Sequence, residues 1–220
     1  MYTPKHFSAP SDEALHDVMR AYPFATLVTT SNSGVNVNHL PLYLDGKGTL
    51  SGHLARANPL WQEVGSECDV LAIFHGPNAY VSPSWYPTKA RTGMVVPTWN
   101  YVVVHARGKL KVINDVNWLY THLAALTAQH EAVFDPPWRL EDAPAGFIDK
   151  LIQAVVGIEI EITALTGKWK VSQNQPLENQ LGVVHGLKQT GKTPGHEMTA
   201  HEMAAYKMAE IVQAINRLST

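Results

Sequence analysis

The N-terminal quarter of the chain contains short strand-like segments separated by turn sequences, and this pattern limits the fold more than any other feature. The segments are F-A-T-L-V-T-T, V-N-V-N-H-L-P-L-Y-L and T-L-S-G-H-L, separated by S-N-S-G and D-G-K-G. Such segments and turns are typical of antiparallel strands joined by hairpins. We therefore predict a three-stranded meander over residues 24–54. Because Pro41 cannot donate a backbone hydrogen bond, its strand is expected to lie at an edge or to break there.

The rest of the chain adds strands and helices. Residues 98–113 form a long β-branched run, and the segment V-G-I-E-I-E-I-T-A-L at residues 156–165 alternates isoleucine with glutamate, so both are predicted strands. A further hairpin is predicted around G-P-N at residues 76–78. Ser11 and Asp115 are the predicted N-caps of two helices. Three more helices are predicted over residues 143–154, 177–188 and 198–218.

About six strands with interleaved helices predict an α+β fold, an antiparallel β-barrel with flanking and C-terminal helices. We expect a main domain over residues 1–175 and a helical extension over residues 176–220 that packs on the barrel. Residues 83–97 are rich in Pro and Gly, which predicts a long irregular loop with a functional role.

Composition excludes several classes of protein. With 17 basic and 19 acidic residues the net charge is −2, so the molecule as a whole has no attraction to nucleic-acid backbones or anionic membranes. The single Cys68 allows no internal disulfide and no cysteine metal cluster. The N-terminus lacks a signal-peptide apolar run, and no segment approaches the roughly 20 apolar residues of a membrane span. We therefore expect a cytoplasmic protein.

Four polar side chains at the end of the third strand segment are the strongest candidates for a ligand site. Ser51, His53, Arg56 and Asn58 lie in the block S-G-H-L-A-R-A-N-P. Asn58 before Pro59 predicts the start of a helix. A guanidinium, hydroxyl donors and a helix N-terminus together favour a phosphate monoester. The alternative is structural, with caps, turn residues and a surface charge, and the sequence leaves both open.

A second candidate group combines aromatic rings with amide groups. Trp85, Tyr86, Trp99, Asn100 and Tyr101 come from the blocks Y-V-S-P-S-W-Y and V-P-T-W-N-Y. Stacked rings can hold a heteroaromatic ligand while an amide contacts its polar rim. The alternative is that these rings fill the barrel mouth or a subunit interface.

A third group follows the last predicted strand, in the sequence G-K-W-K-V-S-Q-N-Q. Lys168 and Lys170 lie on one side of the strand, and Ser172 and Gln173 come just beyond it. Alternating lysines also mark a solvated strand face, so this group only supports the other two.

The sequence indicates neither a metal site nor a catalytic acid–base pair. Eleven histidines are present, but no spacing typical of a metal site connects them. The motifs of dinucleotide-binding proteins, P-loop NTPases and nucleophile-elbow hydrolases are absent from the sequence.

In their order along the chain these blocks resemble the PaiB-type family of FMN-binding negative transcriptional regulators, relatives of the pyridoxamine-phosphate-oxidase-like split barrels. The matching segments are M-Y-T-P-K-H-F, N-H-L-P-L, S-G-H-L-A-R-A-N-P, G-P-N-A-Y-V-S-P-S-W-Y, V-P-T-W-N-Y and K-V-S-Q-N. The resemblance covers nearly the whole chain. It implies a split β-barrel homodimer that binds FMN in a cleft at the subunit interface.

The resemblance also implies which residues hold FMN. One group would line the cleft and face the ribityl phosphate: Asn38, His39, Ser51, Gly52, His53, Arg56 and Asn58. A second group would approach from the same or the partner subunit: Trp99, Asn100, Lys170, Ser172 and Gln173. Family members often carry a basic residue after S-Q-N, where this chain has Gln175, which predicts one phosphate-neutralising charge fewer.

Three functions follow from these expectations. The first is an FMN-binding module that acts as a redox-responsive transcriptional regulator, although the last predicted helix is not a basic recognition helix and direct DNA binding has little support. The second is an FMN-dependent oxidoreductase, because a flavin carries the electron chemistry itself. The third is a haem protein, which would need an axial ligand such as His185, His196 or His201.

Overall fold

The computed structural model describes residues 1–31, 34–65, 67–190 and 199–218. The chain divides into two compact units. The first unit contains Met1–Leu15, His75–Val104 and Thr166–Thr220, and the second contains His16–Phe74 and His105–Leu165. A domain boundary between residues 175 and 176 stays a prediction.

A seven-stranded sheet with flanking helices confirms the α+β fold class. The strands lie in the order β2-β1-β5-β6-β7-β4-β3, so β2 and β3 are the edges of an open sheet. The pairings of β1 with β2 and β5, and of β4 with β3 and β7, are antiparallel. The strands are β1 (Phe24–Ser31), β2 (Gly34–Pro41), β3 (Tyr43–Leu44), β4 (Thr49–Ala55), β5 (Glu67–Val81), β6 (Thr98–Ile113) and β7 (Val155–Lys170).

The predicted caps are confirmed by hydrogen bonds. Ser11 Oγ accepts from the backbone N–H of Ala14 at 3.2 Å, and Asp115 Oδ1 accepts from that of Trp118 at 2.7 Å. The described part of the chain contains no helix that is both long and apolar enough for a membrane span. The helices are α1 (Asp12–Ala21), α2 (Leu60–Glu63), α3 (Thr88–Thr92), α4 (Val116–Glu131), α5 (Phe147–Gln153), α6 (Leu177–Gln189) and α7 (Ala200–Leu218).

The predicted meander is only partly confirmed. β1 and β2 form the first hairpin, with Phe24 opposite Pro41 and Ser31 opposite Gly34. The third segment, β4, pairs with β3 and β7 instead of β2, so the three-stranded meander was wrong. The reason lies at Pro41, which ends the edge strand β2. The next N–H, that of Leu42, donates to the carbonyl of Pro23 at 2.9 Å.

The predicted hairpin at residues 76–78 was also wrong, because β5 continues through them as one strand. Gly76 and Pro77 are buried. A Cβ on Gly76 would lie only 3.1 Å from Cβ of Val102, so glycine here permits a close approach of strands rather than a turn. The loop over residues 83–97 was expected to be irregular, but it contains α3 and a 3₁₀ turn at Pro83–Trp85.

In the second unit, β4 has two distinct faces. Leu50, Gly52 and Leu54 are buried on one face, whereas Ser51 and His53 point to the other. The alternation predicted for β7 is confirmed by the buried side chains of Ile158 and Ile160. Strand periodicity therefore separates the hydrophobic core from a polar face on which ligand chemistry is possible.

In the first unit, α6 and α7 pack on each other through apolar faces. The buried residues are Val183, Val184 and Leu187 of α6, and Ala205, Met208, Ala209 and Val212 of α7. A second face of α6 receives Trp85. A Cβ on Gly182 would overlap the Trp85 carbonyl oxygen, and a Cβ on Gly186 would overlap the indole ring. These two glycines therefore let the 83–97 loop pack against the helix.

This packing predicts different outcomes for two glycine substitutions. Gly186→Ala should destabilise the chain by about 1–3 kcal/mol through overpacking. Combined with Trp85→Ala it should become neutral or stabilising, because alanine favours a helix by about 1 kcal/mol over glycine. Gly182→Ala should stay destabilising in both backgrounds, since its clash is with a backbone carbonyl. Urea denaturation of the wild type, Trp85→Ala, the two single glycine variants and the two double variants measures this, and equal effects of the two glycine changes would contradict the packing.

Candidate functional site

On the polar face of β4, two predicted site residues meet a histidine from α4. Ser51 Oγ lies 3.1 Å from Nδ1 of His122, and Nε2 of His122 lies 3.2 Å from Nδ1 of His53. The three side chains therefore form one hydrogen-bonded series. The sequence did not identify His122, although it interrupts the buried positions Leu119 and Leu126 on α4, and a polar residue in such an apolar series is a usable signal.

His122 is held in an aromatic, largely dry environment. Only 5% of its surface is exposed, and the ring of Trp118 stacks on it with centroids 5.2 Å apart. Gly157 makes room for Trp118, because a Cβ there would overlap the indole ring. Burial, and then the neighbouring His53, lowers the pKa of His122 from 6.5 to about 4. Burial also lowers the pKa of His53. The pair is therefore neutral at pH 7.

A neutral imidazole bonded to a serine hydroxyl resembles part of a nucleophilic site, but the surroundings do not complete one. Ser51 lies on β4, next to the edge strand, opposite Tyr43 on β3 and Glu159 on β7. Because the backbone of Ser51 is paired with strands on both sides, it is not arranged as the donor pair of an oxyanion hole. The geometry therefore favours a polar anchor for α4.

Two predicted cofactor residues, Asn38 and Asn58, bind each other. Asn58 Nδ2 donates to Asn38 Oδ1 at 2.7 Å, and Asn38 Nδ2 donates to Asn36 Oδ1 at 3.2 Å. Asn58 Oδ1 accepts from the backbone N–H of Leu60 at 3.0 Å in the turn before α2. The helix begins one residue later than expected, with Pro59 and not Asn58 as its N-cap. These amides fix the start of α2.

Arg56 is used mostly by its own chain. Nε donates to the Gln153 carbonyl at 2.9 Å, Nη2 to the Val155 carbonyl at 2.8 Å and Nη1 to Asn114 Oδ1 at 3.3 Å. The guanidinium also lies 5.8 Å from the ring centroid of Trp61. Of its five N–H groups, two stay free for a ligand. A role for Arg56 in phosphate binding stays a prediction.

The other two predicted residues of this group have separate settings. His39 Nδ1 lies 3.2 Å from Thr26 Oγ1, and its ring stacks on Phe24 at 6.4 Å. Gly52 is on the buried face of β4, where a Cβ would lie 2.8 Å from Cδ2 of Leu42. Gly52 therefore permits close packing of β4, and its role in FMN binding stays a prediction.

The first unit contains a cavity of about 260 Å³ that we call the lysine pocket. Its walls come from the 83–97 loop, β6 and the end of β7. The lining side chains are hydroxyls, amides, apolar groups and one cation, with no carboxylate among them: Tyr86, Met94, Val95, Val96, Thr98, Asn100, Lys170, Ser172, Asn174 and Gln175.

Lys170 is the cation of the lysine pocket. Its Nζ donates to Thr98 Oγ1 and, at 2.7 Å, to the Trp99 carbonyl, so one of its three N–H groups is left for a ligand. Burial, and then the charge of Lys168, lowers the pKa of Lys170. An anionic ligand in the pocket would reverse this effect, because an opposite charge favours the protonated amine.

The turn after β7 is fixed by three predicted cofactor residues. Asn100 Nδ2 donates to Ser172 Oγ at 2.9 Å, and the Ser172 hydroxyl donates to Asn100 Oδ1 at 3.2 Å; both residues are buried. Ser172 has a φ of 67°, which is rare for a residue with a Cβ. Gln173 accepts from the N–H of Val171 at 2.8 Å and donates to the carbonyl of Trp169 at 2.5 Å. These contacts fix the turn beside the lysine pocket, and Gln173 uses both its amide oxygen and its amide nitrogen to bond to the backbone.

The predicted aromatic residues have different surroundings. Tyr86 is buried and lines the lysine pocket, whereas Trp85 packs on α6. Trp99 is 50% exposed and meets Tyr80 edge to face at 6.1 Å. Tyr101 lies 5.7 Å from the ammonium of Lys168. Trp99 is therefore the ring of this group that stays available for stacking with a ligand.

The chemistry of the lysine pocket fits a polar part of FMN. A flavin mononucleotide presents a phosphate, ribityl hydroxyls and a polar ring edge, and all of these pair with ammonium, hydroxyl and amide groups. A volume of about 260 Å³ suits part of such a ligand. Gln175 lines this pocket, and its Oε1 accepts from Asn179 Nδ2 at 3.1 Å.

The candidate axial histidines for haem lie on helices or outside the described residues. His185 on α6 and His201 on α7 are exposed, and His196 is not among the residues described. Within residues 1–31, 34–65, 67–190 and 199–218, no three His, Cys, Asp or Glu side chains form a group that could hold a metal ion.

The buried His122 predicts an acid-sensitive fold. In the unfolded chain His122 binds a proton below pH 6.5, whereas in the native chain it does so only near pH 4. The contribution of the neutral His122 to the free energy of unfolding is therefore fully present above pH 6.5 and is lost as the pH falls to 4. At about 1.4 kcal/mol per pKa unit, the free energy of unfolding falls by roughly 3 kcal/mol. Urea unfolding at several pH values should show a smaller loss in His122→Gln than in the wild type. His130→Gln, at an exposed position of α4, is the control, and an equal loss in His122→Gln and the wild type would contradict the assignment.

Comparison with known proteins shows close relatives. Residues 1–164 match the family described as "Putative FMN-binding domain". Protease synthase and sporulation protein PAI 2 of Bacillus subtilis is 30% identical over 191 residues, covering 86% of this chain and 89% of the relative. An uncharacterized protein of Emericella nidulans is 32% identical over 220 residues, covering 82% of this chain and 88% of the relative.

Solved structures share the fold at low identity. The FAD and haem binding protein from Mycobacterium smegmatis is 14% identical, with a TM-score of 0.59 over 90% of this chain and 96% of that one. The flavocytochrome Anf3 from Azotobacter vinelandii is 14% identical, with a TM-score of 0.57 over 76% of this chain and 72% of that one. These likenesses confirm the predicted split-barrel fold class, and the family match confirms the predicted cofactor. The chain belongs to the family of FMN-binding domains that includes the Bacillus subtilis protein PAI 2.

Proposed function

We propose that the lysine pocket holds a polar part of the FMN. The observation that carries this proposal is the lining of the pocket, where one ammonium is surrounded by hydroxyls and amides without any carboxylate. The nearby ring of Trp99, half exposed, offers a flat apolar face for the isoalloxazine. FMN supplies the electron chemistry when it is bound.

In this proposal the residues of the chain bind FMN and orient it. The remaining N–H of Lys170 donates to the ligand, and the Asn100–Ser172 pair keeps the turn after β7 in place. The 83–97 loop forms the opposite wall. It is held by Arg91, which makes a two-pronged ion pair with Glu178, and by Thr88, whose hydroxyl donates to Asn179 Oδ1 at 3.1 Å. The pocket is therefore preorganised on both sides.

We further propose that the chain is a flavin-dependent regulator of the PaiB type, in which the redox state of FMN controls the output. This proposal rests on the similarity to PAI 2, whose name connects it with protease synthesis and sporulation. In α7, the charges of Glu202 and Glu210 balance those of Lys207 and Arg217, so this helix is not a basic recognition helix for a DNA groove. Regulation through a homodimer with the cofactor at its interface, acting on another protein, fits these charges better than direct DNA binding.

A second candidate function is that of an FMN-dependent oxidoreductase. The observation that favours it is Lys170, a partly buried amine with a lowered pKa and one free N–H at an open pocket. Such a group donates a proton more readily than an exposed lysine does. Oxidation of a reduced nicotinamide by the flavin-loaded protein, with turnover abolished in Lys170→Gln, distinguishes this function from regulation.

The lysine pocket predicts a selective loss of FMN affinity. Lys170→Gln removes a charge-assisted hydrogen bond and should weaken FMN binding about tenfold or more. The matched control is Lys168→Gln, because Lys168 is on the same strand but does not line the pocket. Flavin fluorescence titration with the apoprotein measures both affinities.

A parallel titration with riboflavin identifies the part of FMN that Lys170 meets. If Lys170 contacts the phosphate, Lys170→Gln should lower the affinity for FMN but leave the affinity for riboflavin unchanged. If Lys170 contacts the ribityl chain or the ring, the substitution should lower the affinities for both ligands. Unchanged affinity for both ligands, or an equal loss in Lys168→Gln, would refute the assignment of the pocket.

Charge predicts that the chain alone does not bind its own upstream DNA specifically. With a net charge of −2 for the chain and a net charge of zero for α7, any retardation in a gel-shift assay should disappear as salt is raised. The assay is done with oxidised and with reduced flavin, and an unrelated DNA of equal length is the control. Specific retardation that survives raised salt would show that the protein binds DNA directly, contrary to this prediction.

A further inference from the structure

The second unit contains a hollow of about 410 Å³ between α4 and residues 137–141, which we call the alanine hollow. This volume lies in the usual range of ligand pockets, roughly 300–1,000 Å³. The hollow shares no residue with the lysine pocket or with the residues predicted to hold FMN. Its lining residues are Ala124, Thr127, Ala128, Ala132, Pro137, Trp138, Arg139, Leu140 and Glu141.

The wall opposite α4 is held in place by the chain itself. The backbone N–H of Trp138 donates to Glu131 Oε2 at 3.0 Å, and that of Arg139 donates to Asp142 Oδ2 at 2.8 Å. Leu140 is buried and anchors the same segment. These contacts fix the wall, so a ligand need not order it.

The interior of the hollow is apolar, with opposite charges among the lining residues. Small side chains of α4 form one side, and Trp138, Pro137 and Leu140 face them. Arg139 contributes a guanidinium that makes no ion pair with any described residue. Glu141 uses Oε1 to accept from the Tyr120 hydroxyl at 3.0 Å, which leaves Oε2 for another donor.

We propose that the alanine hollow binds a free α-amino acid with a large apolar side chain. The side chain would enter the apolar interior, the α-carboxylate would pair with Arg139, and the α-ammonium would pair with Glu141. A hydrocarbon would leave both charges unused, and a simple anion or amine would match only one of them. Because two opposite charges flank an apolar space, a zwitterion with an apolar side chain is the class that matches the whole lining.

The first experiment compares probes that differ by one charged group. Isothermal titration calorimetry of the full chain uses L-phenylalanine, phenethylamine, which lacks the carboxylate, and 3-phenylpropionate, which lacks the ammonium. L-Phenylalanine should bind at least about tenfold more tightly than either analogue. Equal binding of one analogue, or no binding of L-phenylalanine, would overturn the proposal.

The second experiment removes each protein charge in turn. Arg139→Gln should abolish the preference for L-phenylalanine over phenethylamine, and Glu141→Gln should abolish its preference over 3-phenylpropionate. In Glu141→Gln the amide oxygen still accepts from Tyr120, so the loop contact is retained. Ala128→Leu, which fills the hollow, should abolish binding of all three probes.

Arg107→Gln is the matched control, since Arg107 is an exposed arginine of the same unit outside the hollow. It should bind all three probes like the wild type. Circular dichroism and urea unfolding verify that each variant is folded. Wild-type binding in Arg139→Gln, Glu141→Gln and Ala128→Leu would overturn the assignment. The titrations are done with and without FMN, and binding in both states would separate this site from the proposed flavin function.

Discussion

The buried side-chain pair of Asn100 and Ser172 is the contact on which the candidate flavin pocket depends. A non-glycine residue with positive φ costs about 1–2 kcal/mol, and Ser172 adopts such a φ. Two hydrogen bonds to a buried amide offset that cost. The turn they hold brings Lys170 from the end of β7 and Gln175 from beyond it to one cavity. Without the pair, the first unit would keep its hydrophobic core and lose the geometry of the pocket.

Much of the fold was predictable because it depends on local chemistry. Side-chain caps at Ser11 and Asp115, the long strand β6 and the alternation in β7 follow from contacts within a few residues. Strand pairing does not follow from contacts within a few residues. One partner of β4, the strand β7, is about a hundred residues away in the sequence. Only tertiary packing reveals that Gly76 approaches Val102 instead of forming a turn. A G-P-N sequence has the composition of a turn and the geometry of a strand.

The same limit applies to the candidate site. The motifs located the regions that carry polar side chains, but they did not distinguish residues that bind a ligand from residues that hold the protein together. Gln173 bonds to the backbone with both ends of its amide, and Arg56 spends three of five N–H groups on its own chain. His122 has no motif, yet it connects Ser51 to His53. Hydrogen-bond occupancy belongs to the three-dimensional structure, so spacing alone could not assign these roles.

FMN in the lysine pocket would cover the backbone segments that line this cavity. Hydrogen–deuterium exchange of the apoprotein with and without FMN, followed by peptide mass spectrometry, tests it most directly. FMN binding in the lysine pocket should slow amide exchange in residues 94–101 and 170–175. The alanine hollow at residues 124–141 should be unaffected. Saturable FMN binding with no protection in the first two segments would contradict it.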